Sequence, residues 1–173
     1  MIKKIRNILV LFLFFQLLFF SIQNLKSVRP KFNLNSEFSF ELINLDEVKE
    51  FEIKDESGSV KFDKQGRNWF FKANDERANS DKIETKLAGI KSIKINRSVI
   101  NKEGSFSDLM VGDDNYRKKI TLISTEPLVM FIGKMNEAGR SYLRIGGNNT
   151  IYEVDFIFDD LVSDPKLWLT PRS

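Results

Sequence analysis

Glu47-Val-Lys-Glu-Phe-Glu-Ile-Lys-Asp55 is the stretch that decides the fold class, together with the residues that follow it to Lys72. Successive side chains of an extended chain point to opposite faces, so Phe51 and Ile53 share one face and the charged residues between them the other. Glu56-Ser57-Gly58-Ser59 supplies turn residues. Val60 and Phe62 then alternate with Lys61 and Asp63. A second turn, Lys64-Gln65-Gly66-Arg67, leads to Trp69 and Phe71 alternating with Phe70 and Lys72. Three short strands joined by tight turns predict an antiparallel meander with one apolar face.

That face needs a cover, and the next segment offers one. Asn79-Ser80-Asp81 is a helix-start signal, with Asp81 and Glu84 at capping-box spacing. Ile83, Leu87, Ile90 and Ile93 follow at intervals of 4, 3 and 3, one stripe of an amphipathic helix over 81–94. A second β region is predicted over 93–100, 119–124, 128–133, 141–145 and 150–155. Its turns are marked by Glu126-Pro127, by Asn136 to Gly139 and by Gly146-Gly147-Asn148-Asn149. Phe156 to Leu169 reads as a short helix with Phe158, Leu161 and Val162 inward and Asp159 and Asp160 outward, broken or restarted by Pro165.

Upstream, the chain changes character. Met1 to Lys26 holds Lys3, Lys4, Arg6 and Lys26 and no acid, and Asn7 to Leu25 carries no charge. Residues 8–25 would make a helix of about 27 Å, against a hydrocarbon core of roughly 30 Å. The segment is apolar on every side, whereas a helix on a soluble core keeps a polar face. Ile8, Leu11, Phe12, Phe15, Leu18 and Phe19 are the expected anchor residues, in contact with the lipid bilayer. A cleaved signal peptide is the competing reading, but cutting after Ser21 or Ser27 leaves Phe19 or Leu25 where a small residue is wanted. The short basic tail is expected to stay cytoplasmic, which makes this a single-pass protein of the cell (inner) membrane with its body extracytoplasmic.

The expected organisation is therefore an N-terminal membrane anchor or signal peptide over 1–26, a connector over 27–47 and an extracytoplasmic domain over 48–173. The connector alternates Phe32, Leu34, Phe38, Phe40 and Leu42, as an edge strand on the body or a stalk at headgroup level would. The fold class is α+β: antiparallel β-meanders with one amphipathic covering helix and a short C-terminal helix, preceded by one transmembrane helix.

Composition narrows the chemistry. The 173 residues contain no His and no Cys, which excludes imidazole bases, thiol nucleophiles, disulfides and Cys/His zinc sites. The net charge of +3 comes from the first 26 residues, and the remainder is at −1. Ser163 and Lys166 have Ser-x-x-Lys spacing, but with Pro165 between them in a polar context. Gly112-Asp113-Asp114-Asn115-Tyr116 lacks the ligand spacing of a calcium loop, and adjacent side chains diverge too far for a catalytic dyad from either Asp113-Asp114 or Asp159-Asp160. Arg117-Lys118-Lys119 is a basic cluster beside two acids, so no nucleic-acid partner is expected. Asn96-Arg97-Ser98 and Asn148-Asn149-Thr150 fit the glycosylation acceptor pattern.

Several short motifs, in order, carry a resemblance: Glu47-Val-Lys-Glu-Phe-Glu-Ile53, Gly66-Arg-Asn-Trp69-Phe, Ala78-Asn-Ser-Asp81, Lys119-Ile-Thr-Leu122, Met130-Phe-Ile-Gly133, Tyr142-Leu-Arg144 and Ile151-Tyr-Glu-Val154. Over roughly 48–170 the chain resembles the domain-of-unknown-function family 4340. That resemblance implies a single-pass membrane protein, often encoded near gliding-type ABC transporters, with no established enzymatic activity and no catalytic residues to carry over; no cofactor is expected. The family's Gly-Leu-x-x-Pro stretch is blurred here to Phe106-Ser-Asp-Leu-Met-Val-Gly112. The expected function is a non-enzymatic membrane-anchored accessory or scaffold domain, with a membrane transport complex as partner and Tyr142 and Arg144 as its contact surface. The alternative is a single-pass β-rich carrier or bridge for lipid or glycolipid, which would need an open apolar groove.

Overall fold

A computed structural model describes residues 16, 38–99 and 105–170. The predicted meander is present as β1 (Glu50–Asp55), β2 (Gly58–Gln65) and β3 (Asn68–Phe71), joined by two-residue turns. Gly66 sits at φ 63, a backbone conformation that side chains with a Cβ resist. Helix α1 (Ser80–Lys91) follows, then β4 (Ile95–Val99) and the single helical turn α2 (Ser105–Asp108). The second meander is β5 (Lys118–Ile123), β6 (Pro127–Met135), β7 (Ser141–Ile145) and β8 (Ile151–Val154).

Among the described residues these strands form one antiparallel sheet in the order β3-β2-β1-β5-β6-β7-β8-β4. The two meanders are fused side by side through β1 and β5, with Phe51 opposite Leu122 and Ile53 opposite Ile120. The chain leaves the sheet at its β3 edge and rejoins it at β4, on the other edge, with α1 in between.

Register explains the layers. Phe51, Ile53, Val60, Phe62, Ile120, Met130, Leu143 and Tyr152 fall on one face and join Ile83, Leu87 and Ile90 of α1 in the main core. All three helix residues are fully buried. The opposite face is divided. Over β1 and β2 it carries ion pairs: Lys61 with Glu52 at 3.4 Å, and Lys72 with Glu50 at 2.7 Å and Asp63 at 3.5 Å. Over β6 to β8 it carries Phe131 and Ile151, which pack with Val111, Phe106 and Leu109 of the 105–116 segment in a second, smaller core.

Three expectations are corrected. The helix start is capped by Asn79, whose side chain accepts from the Lys82 N–H at 3.0 Å, and no Asp81–Glu84 capping box forms. Glu84 instead accepts from the Trp69 indole at 2.8 Å and pairs with Lys64 at 2.9 Å, tying α1 to the first meander. The short C-terminal helix is a 3₁₀ turn, Pro165–Trp168, with Asp164 as its cap and Pro165 in its first turn. Residues 156–164 cross the end of the sheet as an irregular strap: one internal turn bond, from the Leu161 N–H to the Phe158 carbonyl at 3.1 Å, is joined by bonds to the sheet that a helix could not keep. Ser141 donates to the Phe156 carbonyl at 3.1 Å, and the Ser163 N–H and hydroxyl donate to Asp55 at 2.9 and 2.6 Å. Finally, the described part of the connector is two 3₁₀ turns, Phe40–Leu42 and Leu45–Glu47, not an edge strand. Phe38 and Phe40 are buried in the main core, edge to face at 4.9 Å.

The expected anchor residues Ile8, Leu11, Phe12, Phe15, Leu18 and Phe19 lie outside the described residues. Among the described residues, no helix is long and apolar enough to cross a membrane.

Candidate functional site

Tyr142 and Arg144 are brought together on one face of β7, but Arg144 is occupied within the protein. It is 3% exposed and its guanidinium lies between the rings of Phe106 and Phe131, 4.7 and 4.6 Å from their centroids. Its Nε donates to the Val111 carbonyl at 2.7 Å, one terminal nitrogen to the Asn148 carbonyl at 3.2 Å, and the other to Asp113. Arg144 thus fastens the 105–116 cover to the sheet and leaves no charge free for a partner. Tyr142 is half-buried at the rim of the same small core.

One row further along, the register sets Arg97 of β4 opposite Glu153 of β8, and Glu153 opposite Tyr142 of β7. Glu153 is 1% exposed and is roofed by two arginine side chains, Arg97 and Arg140, that are themselves 67% and 41% open. Arg97 donates twice to Glu153 Oε2, at 3.0 and 2.8 Å, and Arg140 donates to Oε1 at 3.2 Å. The hydrogen bonds from Arg97 hold the Glu153 carboxyl below its usual range against the opposing effect of burial, and Glu153 in turn raises Arg97. Two guanidiniums on one carboxylate leave a positive charge on an exposed surface. Sequence reading missed this cluster because its members are 13 and 56 residues apart, and Asn96-Arg97-Ser98 read there as no more than an acceptor pattern.

A second polar cluster lies beneath the strap. Lys118, 9% exposed, donates to the Phe158 carbonyl at 2.5 Å and faces Asp55 across the β1–β5 pair. Burial pushes its amine below the usual lysine range, opposed by Asp55, Asp159 and Asp160. Asp55 is also shifted: burial alone would raise it, but the bonds from Ser163 and Ser57 carry it below its usual value. These contacts are clips for the strap. The Ser163 hydroxyl donates its hydrogen bond to Asp55, and Lys166, its Ser-x-x-Lys partner in sequence, is exposed beyond it. The Arg117-Lys118-Lys119 cluster is divided in the same way: Lys118 points inward, and Lys119 lies over Phe131 on the other face at 5.8 Å. Asp113 is spent on Arg144, and Asp160 on Lys86. Among the described residues no group of three or more acidic side chains is placed to hold a metal ion.

The sheet has two edges, and they differ. β3 is covered by the chain that follows it: Phe71 donates to the Glu76 carbonyl at 2.8 Å, and Ala78 to the Trp69 carbonyl at 2.9 Å. β4 pairs with β8 on one side, and among the described residues nothing pairs with its other side. Beside that edge runs a groove of about 660 Å³ whose lining includes Phe38, Phe40, Ile93, Ile95, Arg97 and Tyr152.

Among the described residues, an eight-stranded antiparallel sheet covered by one long helix, with an edge left unpaired beside an arginine pair, defines an α+β domain in which β structure dominates. Residues 69–172 match the family described as Domain of unknown function (DUF4340), and the chain belongs to that family. No curated protein and no solved structure matches the chain. The folded unit reaches beyond the matched residues, since β3 is joined to β5 only through β2 and β1.

Proposed function

We propose that this protein is a non-enzymatic accessory domain, held to the cell membrane by its N-terminal helix with the body outside the cytoplasm, that works by docking a protein partner. The observation that carries this reading is the edge of β4, which nothing among the described residues pairs. An exposed strand edge is a row of unused N–H and C=O groups, and an added strand can satisfy them. The family resemblance suggests an ABC-type transport complex as the source of that partner. A photo-crosslinking residue at exposed Asn96, in the full-length chain in its own membrane, is expected to trap one protein that the same probe at Glu137, on the β6–β7 loop, does not. Recovery of the Asn96-labelled chain alone, with no crosslinked species, would overturn docking at this edge.

A second reading, a lipid or glycolipid carrier, is favoured by one feature: a cleft of about 500 Å³ with Val60, Phe71, Pro165 and Leu169 in its lining. It is opposed by α1, which occupies the inner face where a longer groove would have to run. Mass spectrometry of lipid retained by the purified chain separates the two.

A further inference from the structure

We infer that the β4 edge takes an extended segment of a different protein in which apolar side chains alternate with acidic ones. The inference rests on the docking reading above and adds the chemistry of the partner. Two observations, one on each face of the edge, carry it.

A strand laid against β4 points alternate side chains to opposite faces of the sheet. On the inner side they would meet the part of the 660 Å³ groove walled by Phe38, Phe40, Ile93 and Tyr152, whose polar rim carries Glu41 and Lys94 and reaches Arg97 at the strand edge. On the outer side they would meet Arg97 and Arg140. Glu153 engages two nitrogens of Arg97 and one of Arg140, so several N–H groups of both guanidiniums stay open to solvent while the buried carboxylate fixes where they point. Guanidinium N–H groups held in place this way match a carboxylate. One negative charge from the partner would also neutralise the cation left over in the cluster.

The same residues argue against a second copy of this chain. β4 carries a bulge between Ile95 and Arg97, and an antiparallel self-pairing centred on its exposed charge sets Arg97 opposite Arg97. Like charges directly opposite are unfavourable. Self-pairing is therefore disfavoured at its centre, where an acidic partner would be favoured.

The test uses the full chain in neutral phosphatidylcholine nanodiscs and three fluorescent peptides: Thr-Val-Glu-Val-Glu-Val-Thr, the same peptide with Lys for Glu, and the same peptide with Gln for Glu. The expected result is that the Glu peptide binds about fivefold tighter than the Gln peptide and the Lys peptide more weakly than either. The margin should shrink as salt is raised. In the triple variant Arg97→Gln, Arg140→Gln, Glu153→Gln, which removes all three charges together and leaves no carboxylate stranded, the three peptides should bind alike. Equal binding of the three peptides to the natural chain would overturn the inference. So would a crosslink from Asn96 to a second copy, or to residues 27–37 of the same chain. If Asn96 traps a protein partner and the triple variant traps it equally well, docking stands and the acidic chemistry falls.

Discussion

The carbonyl oxygen of Leu109 lies 2.0 Å from where a Cβ on Gly133 would stand. Val111 and the Met110 carbonyl close the same space at 2.8 and 3.0 Å. Here the 105–116 cover is pressed against β6, and the Lys134 N–H donates to the Leu109 carbonyl at 3.0 Å. A methyl group would have to displace backbone rather than a side chain. Gly133→Ala is therefore expected to cost about 3 kcal/mol in urea denaturation. Gly112→Ala, whose Cβ would meet Asn115 at an ordinary 3.5 Å, should cost under about 1 kcal/mol.

Arg144 fastens that cover from the other side. Lysine in its place keeps the charge but loses the planar stack between Phe106 and Phe131 and cannot reach three acceptors in one plane. Arg144→Lys should destabilise by about 2–3 kcal/mol, since it leaves a buried cation poorly paired and frees the Val111 carbonyl. Asp113→Asn should cost under about 1 kcal/mol, because that carboxylate is 69% exposed. Equal losses for the two variants would mean that the ion pair, not the stack, holds Arg144.

How much of this was legible in the sequence depended on what each face of a strand meets. β1 and β2 could be read because their outer face is solvated, so charge alternates cleanly with Phe51, Ile53, Val60 and Phe62. β8 is buried on both faces, and Glu153 within it looks like any outward residue of an alternating strand. Arg144 misled for the same reason: period-two patterning marks it as outward, and nothing local reveals that residues 105–116 lie on top of it. The C-terminal strap misled differently. Phe158 and Leu161 have helical spacing, but their segment is fixed by Asp55 and Lys118, from strands more than 35 residues earlier. Pairings such as β4 with β8, or β1 with β5, are of the same long-range kind. The Arg97–Glu153–Arg140 cluster exists only once those pairings are made.

Helix α1 supplies a prediction about the main core. Leu87 is fully buried between helix and sheet, and Leu87→Ala removes its contacts while the sheet beneath can close the gap only in part. The expected loss is about 3 kcal/mol. Asn79 contributes at the helix start, where its side chain satisfies the Lys82 N–H, so Asn79→Ala should cost about 1 kcal/mol. The two sites lie on different parts of the helix, and urea midpoints of the double variant should show the losses adding. A Leu87→Ala loss under about 1 kcal/mol would mean that α1 does not close the inner face.

Acid should loosen the fold at two places that can be told apart. Asp55 and Glu153 both titrate below their ordinary values of 3.8 and 4.5 in the folded chain. A carboxyl lowered by folding contributes stability that is fully present above its unfolded value and is lost as pH falls through the folded one. Stability against urea should therefore be insensitive to these two groups above about pH 5 and decline below it. Glu153→Gln should flatten part of that decline, and Asp55→Asn another part, the second accompanied by exposure of the Trp168 indole as the strap loosens. Lys118 acts at the opposite end. Its folded value lies below the ordinary 10.5, so the unfolded chain binds the proton more strongly. Stability should rise with pH across the interval between the folded value and 10.5, and Lys118→Met should abolish that rise. Urea midpoints measured from pH 3 to 10.5 on the three variants would read all three limbs, and an unchanged alkaline limb in Lys118→Met would show that the amine is not the group responsible.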